Sequence, residues 1–234
     1  MSNNDPSKST DHMTSTDWIA EVSHELRLPI ANIRLLIETL LNGALEDDEI
    51  ARKMLIRAQA EIKRLQSLVT GLLSVEQVSS SRYELLSKEW LDLETRAKYA
   101  LETTTTMAKE SGVNIRLAIK PGFKVFANSA QFDQVLLNLL ENAIKFTPVG
   151  GTVKISSKDK EGCFSINDTG IGMPESEIPK IFQRFYRIDR ARSKGSTGLG
   201  LSIVKHILDS HGAKITVTSK ENEGSSFLLE FPGS

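Results

Sequence analysis

The sequence predicts an α+β chain built as an antiparallel helical hairpin followed by a two-layer α/β sandwich with a mixed sheet. Three observations carry this. An apolar stripe steps by three and four through Ile19, Val22, Leu26, Pro29, Ile33, Leu36 and Leu40. A second stripe does the same through Leu55, Ala58, Ile62, Leu65, Val69 and Leu72. From about Lys88 the pattern changes to short alternating runs interleaved with helical ones, without the strict strand–helix alternation of an all-parallel sheet.

Taken in order, residues 1–15 are polar, rich in Ser and Thr and without periodicity, and read as a disordered leader. The first helix is expected from Thr16 to Asn42, capped by Ser15 or Thr16 and stopped by Gly43. The second starts at the acidic cluster Asp47, Asp48 and Glu49, favourable at a helix N-terminus, and fades at Ser79–Ser81. A lone hairpin buries too little apolar surface, and extra apolar residues such as Ile30 and Ile37 flank the seam. Pairing two hairpins into a four-helix bundle solves this, and a homodimer is the simplest route. The hairpin thus spans 16–80 and a linker 81–88, leaving 89–234 as the second domain. There, strands are expected at 114–119, 151–157, 163–167, 213–219 and 226–231, and helices at about 93–110, 129–146 and 199–211.

Composition narrows the classes. With 234 residues and 39% hydrophobic content the chain can form one large domain or two small ones. A formal net charge of −1 argues against nucleic acid and against an anionic membrane surface. The charge is uneven, with 8 Lys+Arg against 12 Asp+Glu in residues 1–80 and 21 against 18 in 81–234, so the second part suits an anionic ligand. The lone Cys163 excludes an internal disulfide framework and fits a reducing compartment. No run approaches a membrane span and no signal peptide is evident, which points to a cytoplasmic location, either free-standing or as the cytoplasmic part of a membrane-bound sensor.

Several segments carry chemistry. With Ile19 at position a of a heptad, His24 falls at f, pointing away from the seam with Glu25 beside it. By itself such a histidine also reads as an ordinary solvated residue. Asn138, Glu141, Asn142 and Lys145 form one polar helix face, where an amide oxygen can ligate Mg²⁺ and the lysine can meet a phosphate; an amphipathic helix looks the same. Asp168, Gly170 and Gly172 end an apolar strand, so a buried carboxylate there can accept a hydrogen bond from an exocyclic amine such as that of adenine. A plain turn is the alternative. Between Met173 and Ser196, Lys180, Arg184, Arg187, Arg190, Arg192 and Lys194 outnumber Glu175, Glu177 and Asp189, which suits a flap over a triphosphate. Gly195, Gly198 and Gly200 then open onto a helix carrying Leu201, with free backbone N–H groups for phosphate. No strand directly precedes them, unlike a dinucleotide-binding fingerprint.

In this order, the segments resemble the catalytic core of a sensor histidine kinase. Ser23-His24-Glu25-Leu26-Arg27 with Pro29 is similar to the family's H box, and Asn138–Lys145 to its N box. Asp168–Gly172 resembles the G1 box, Phe182–Phe185 the F box and Gly195–Gly200 the G2 box. The likeness covers about residues 16–232. It implies a dimerisation and histidine-phosphotransfer hairpin followed by a Bergerat-type ATP-binding domain, using ATP and Mg²⁺. His24 would take the γ-phosphoryl group with Glu25 as its helper. Asn142, with Asn138 near it, would hold Mg²⁺. Lys145 and Arg184 would steady phosphates, with Arg187 on the same flap, and Asp168 would read adenine, with Ser225 assisting. Gly170, Gly172, Gly198 and Gly200, with Leu201, would shape the pocket and lid. The implied partner is a response-regulator receiver domain with an acceptor aspartate.

Two positions need comment. Pro29 removes the helix hydrogen bond to the carbonyl of Glu25, one turn after His24, and so makes a hinge there. Leu28 stands where the family usually has Thr or Asn, a residue implied to position water for dephosphorylating the regulator. Leucine cannot do so, and weak phosphatase activity is expected. The rivals are a simple ATPase of the same pocket superfamily and a degenerate scaffold. The first would need a glutamate base where Asn138 stands, and the second leaves the intact His24, Asn142, Asp168, Gly198 and Gly200 without a purpose.

Overall fold

The computed structural model describes residues 15–79, 87–188 and 198–233. The leader expected at 1–15 (but for Ser15), most of the linker and the stretch 189–197 lie outside the described residues. The chain divides into two compact units, 1–69 and 70–234.

Helix α1 (Ser15–Leu41) lies in the first unit and continues through Pro29, and α2 (Asp48–Ser79) begins there and runs past Val69 into the second. Gly43, at φ 116°, takes the left-handed turn after α1 that a side chain would resist. A single 3-10 turn follows at Ala44–Glu46. Asp47 caps α2, its Oδ1 accepting from the backbone N–H groups of Glu49 and Ile50 at 3.0 Å each. The Asn32 amide donates to Glu61 Oε1 at 3.2 Å, tying α1 to α2.

The seam on α1 holds, since Pro29 and Leu40 are buried and Leu26, Ile33 and Leu36 half-buried. On α2 it differs from the expected stripe. Among the described residues of α2, Ala51 and Ala58 are buried, while Leu55 and Ile62 are exposed, Ile62 by 45%. The larger apolar residues Leu55 and Ile62, each four positions after one of these alanines, form with Val69 an exposed stripe seven apart. Ile30 and Ile37 on α1 are exposed too, as their flanking positions imply.

The second unit opens with β1 (Glu89–Asp92), then α3 (Leu93–Ser111), β2 (Asn114–Ala118), β3 (Lys124–Ala127) and α4 (Ser129–Phe146). It continues with β4 (Thr152–Ser157), β5 (Cys163–Asp168), α5 (Gly200–His211), β6 (Lys214–Lys220) and β7 (Gly224–Glu230). Five strands form one sheet in the order β2-β4-β5-β7-β6, with β2 parallel to β4 and the other pairs antiparallel. That is the mixed sheet expected. The sequence reading missed β1 and β3, which pair with each other antiparallel as a separate ribbon. Four residues each leave no room for a visible alternation.

Helices α3, α4 and α5 supply the second layer. Asp92 caps α3 by accepting from Thr95 N–H at 2.8 Å, and Gly112, at φ 63°, ends it. Helix α4 buries Phe132, Val135, Leu136, Leu139, Leu140 and Ile144 toward the sheet, leaving its other face for polar residues. Phe132, Phe164 and Phe231 cluster at 5.4–6.3 Å between ring centroids, joining α4 to β5 and to the chain after β7. Each fully buried phenylalanine contributes about 1.5–3 kcal/mol. Cys163 is a buried residue of β5, and burial pushes its thiol pKa up.

Candidate functional site

The polar face of α4 meets the start of α5. A methyl group added at Gly200 would lie 3.8 Å from Asn142 Nδ2 and 3.9 Å from Asn138 Oδ1, so these two amides face the first turn of α5. Asn138 Oδ1 accepts from Gln134 Nε2 at 3.2 Å. Its Nδ2 is buried without a hydrogen-bond partner among the described residues. The side chain at the start of α5, Leu199, makes no capping hydrogen bond to the first turn. Lys145, half-buried one turn beyond Asn142, has its ammonium 5.6 Å from the centre of the Phe146 ring.

Asp168 ends β5. Its Oδ1 accepts from Gly170 N–H at 2.8 Å and Ser225 N–H at 3.2 Å. Both bonds converge on one oxygen, and no bond to Oδ2 is made among the described residues. Burial raises the carboxyl pKa, and the two N–H groups partly offset this. Ser225 is buried, and its hydroxyl lies 2.9 Å from that of Ser219, which itself donates to the Gly224 carbonyl at 2.9 Å and accepts from Met173 N–H at 2.9 Å. The G1 turn is thereby tied to β6 and β7.

Close backbone approach explains the glycines. A Cβ at Gly170 would sit 2.6 Å from Asp168 Oδ1 and 2.7 Å from the Phe146 carbonyl oxygen. Gly172, at φ 60°, has no room beside the Lys220 carbonyl. Gly224, at φ 100°, likewise lies against the Asp168 carbonyl and was not singled out from the sequence. The Glu223-Gly224 turn ahead of a strand was the available signal.

The basic segment after Met173 is more ordered than a plain flap. Residues Glu175–Glu177 form a 3-10 turn, Ile181 is buried, and the Tyr186 hydroxyl donates to Glu177. Phe185, at φ 60°, donates its N–H to the Gly198 carbonyl at 3.0 Å. A Cβ at Gly198 would stand 2.7 Å from Phe185 Cα, so this glycine lets the F and G2 segments touch. Arg184 is exposed and Arg187 half-buried on the same segment, and Leu201 is half-buried in the first turn of α5. Gly195, Arg190, Arg192 and Lys194 lie outside the described residues.

His24 and Glu25 are on α1, in the other unit, and their side chains lie outside the described residues. Leu28 on the same helix is 50% exposed. Among the described residues no cluster of three or more His, Cys, Asp or Glu could hold a metal, and no helix is long and apolar enough to cross a membrane.

Comparisons with known proteins agree with this arrangement. Residues 14–81 match the family described as His Kinase A (phospho-acceptor) domain. Residues 127–234 match the family described as Histidine kinase-, DNA gyrase B-, and HSP90-like ATPase. The sensor histidine kinase WalK of Bacillus subtilis is 35% identical over 223 residues, covering 92% of this chain and 36% of its own length. The chain therefore spans well under two thirds of that relative. Among solved structures, the catalytic domain of histidine kinase ThkA is 31% identical with a TM-score of 0.55, covering 62% of this chain and 97% of its own. ThkA in complex with the response regulator protein TrrA aligns at TM-score 0.75 and 27% identity, over 93% of this chain and 61% of that one. Full-length ShkA in complex with AMPPNP aligns at TM-score 0.67 and 28% identity, over 94% of this chain and 46% of that one. The phosphoacceptor helices and the ATPase fold, in that order and in one chain, place this protein in the sensor histidine kinase family, of which it carries the catalytic core.

Proposed function

We propose that this core phosphorylates itself on His24 at the expense of ATP and then passes the phosphoryl group to an aspartate of a response-regulator receiver domain. The observation that carries the reading is the approach of Asn138 and Asn142 to the open first turn of α5, with Asp168 offering a carboxylate oxygen at a second point. These two points would engage the phosphates and the adenine amine of one nucleotide. In the transfer, a ring nitrogen of His24 attacks the γ-phosphorus, the bond to the β–γ bridging oxygen breaks, and ADP leaves. Glu25 accepts a hydrogen bond or proton from the other ring nitrogen and makes the attacking one more nucleophilic. Lys145, Arg184 and Arg187 balance the triphosphate charge, Gly170, Gly172, Gly198, Gly200 and Leu201 line the pocket, and Ser225 assists at the adenine.

The donor set also fits Mg²⁺. That ion keeps several waters and takes one or two protein oxygens together with substrate phosphates, and the amide of Asn142, with Asn138 beside it, has the chemistry to supply one without a carboxylate cage. Bound there it would neutralise phosphate charge. The domain assignment that goes with this is a phosphotransfer hairpin at 16–80, a linker at 81–88 and an ATP-binding domain at 89–234. The exposed stripe Leu55, Ile62 and Val69, with Ile30 and Ile37, supports a homodimeric four-helix bundle. Leu28 supports weak phosphatase activity, because it puts an apolar side chain on the His24 face, and Pro29 supports a hinge. We place the core in the cytoplasm, acting on protein partners rather than on nucleic acid or the membrane itself.

The test is incubation with γ-labelled ATP and Mg²⁺ of the wild type, His24→Ala and Asn142→Ala. Label is expected on the wild type alone, and label retained by His24→Ala would overturn the assignment.

A further inference from the structure

The ends of α4 and α5 opposite the nucleotide site are joined by a bond that the proposed reaction does not use. The backbone N–H of Asn128, the cap of α4, donates to His211 Nε2 at 3.0 Å. His211 is in the last turn of α5 and 3% exposed. Its Nδ1 lies 2.8 Å from the carbonyl oxygen of Ile207, an acceptor only, so Nδ1 carries the proton and Nε2 is the free lone pair. The ring edge packs against Phe231, 5.8 Å between centroids. Asn128 is held from every side, because its Oδ1 also accepts from Gln131 N–H at 3.1 Å and its Nδ2 donates to the Ser87 carbonyl at 3.3 Å.

The two helices run antiparallel, since the start of α4 meets the end of α5 and Gly200 at the start of α5 meets Asn138 and Asn142 near the end of α4. Asn138 is ten residues beyond Asn128, about 15 Å along a helix of 1.5 Å rise. A slip of one helix along the other at the His211 end is carried as a slip between Gly200 and the two amides.

We infer that Asn128 and His211 are positioning residues for the nucleotide site, and that the neutral imidazole of His211 latches α4 to α5 in the register that sets the spacing of Gly200 from Asn138 and Asn142. The inference rests on the ATP-binding reading of that site. Protonation removes the lone pair that the Asn128 N–H needs and places two like dipoles face to face. Burial and the nearby Lys88, from the segment ahead of β1, both hold the proton off. The Nδ1 side offers the Ile207 carbonyl and, at 3.3 Å, the Ser210 hydroxyl, and no carboxylate is paired with the ring among the described contacts.

The test uses the full chain, with ADP as the probe, at pH 7.5. His211→Gln keeps an acceptor at the Nε2 position and cannot titrate, whereas His211→Leu removes the acceptor. At pH 7.5, His211→Gln is expected to match wild type in ADP affinity within about twofold, and His211→Leu to bind about three- to tenfold more weakly. His211→Leu should also show faster hydrogen exchange at Asn128 and Gln131 than His211→Gln, whose acceptor holds the Asn128 N–H. Should His211→Leu fail to fold, His211→Phe, which fills the ring's volume without an acceptor, takes its place. Equal ADP affinity and equal exchange in the acceptor-free variant and in His211→Gln would overturn the inference and leave the ATP reading standing. No ADP binding by wild type would overturn both.

Discussion

Replacing Asp168 with asparagine separates nucleotide recognition from folding. In the folded chain both backbone donors, Gly170 N–H and Ser225 N–H, reach Oδ1. An asparagine with its carbonyl oxygen in that place keeps both bonds and turns the other oxygen into an NH₂. Each retained bond weakens by about 1 kcal/mol when its acceptor loses charge, but the burial that raises the Asp168 pKa no longer penalises an ion. The two effects oppose, and stability should move by no more than about 1 kcal/mol. Nucleotide binding has no such compensation. The acceptor proposed for the adenine amine becomes a donor, with an expected loss of about 1.5–3 kcal/mol, or about 10- to 150-fold in Kd. Calorimetric titration with ADP and with inosine diphosphate, whose 6-oxo group accepts, measures this directly, and thermal melting checks the fold. Asp168→Asn should weaken ADP and narrow or reverse the preference over inosine diphosphate. ADP affinity within about twofold of wild type, with an unchanged Tm, would refute the reasoning.

Other outcomes follow from the same geometry. In wild type, the raised Asp168 pKa means that the acceptor is lost as pH falls through a value above the ordinary 3.8, so the Asp168 part of ADP affinity falls on acidification and Asp168→Asn lacks it. Stability has the opposite sign, because a buried carboxyl with a raised pKa is less unfavourable once protonated, and its contribution improves as pH falls. Gly172→Ala puts a methyl against the Lys220 carbonyl at φ 60° and should cost about 1–2 kcal/mol or more, seen as a Tm drop of about 2–8 °C; an unchanged Tm would contradict the close approach. Ile62→Glu places a charge in the exposed stripe and should convert a dimer to monomer in sedimentation at micromolar concentration. Leu28→Thr should raise phosphatase activity toward the phosphorylated regulator, and no gain would remove the reason given for its weakness.

How much of this was legible beforehand depended on pattern length. Helix α4 was expected at 129–146 and lies there, because eighteen residues give its apolar face room to repeat. The five long strands were read within one or two residues. Strands β1 and β3 were not, since four residues such as Glu89–Asp92 cannot display a period. On α2 the expected stripe divides within a single hairpin: Ala58 is buried, while Leu55 and Ile62 stay exposed, and these are the residues that the proposed homodimer would cover. In the site, Asn138, Asn142, Asp168 and the G1 and G2 glycines each had an ordinary reading as a polar helix face or a turn, and only their order along the chain singled them out. Gly224 escaped notice because its constraint, the Asp168 carbonyl, comes from a strand more than fifty residues earlier. The Asn128–His211 bond escaped for the same reason, since two residues 83 positions apart carry no local signature.

The central claim is that the nucleotide bound by the second unit phosphorylates the histidine on α1. The most direct measurement is site localisation by tandem mass spectrometry under neutral conditions, after incubation with ATP and Mg²⁺. The account predicts a single phosphoryl group on His24, stable to alkali and lost in acid, present in wild type and absent from Asn142→Ala. A phosphoryl group on any other residue, or on His24 of Asn142→Ala at wild-type yield, would contradict it.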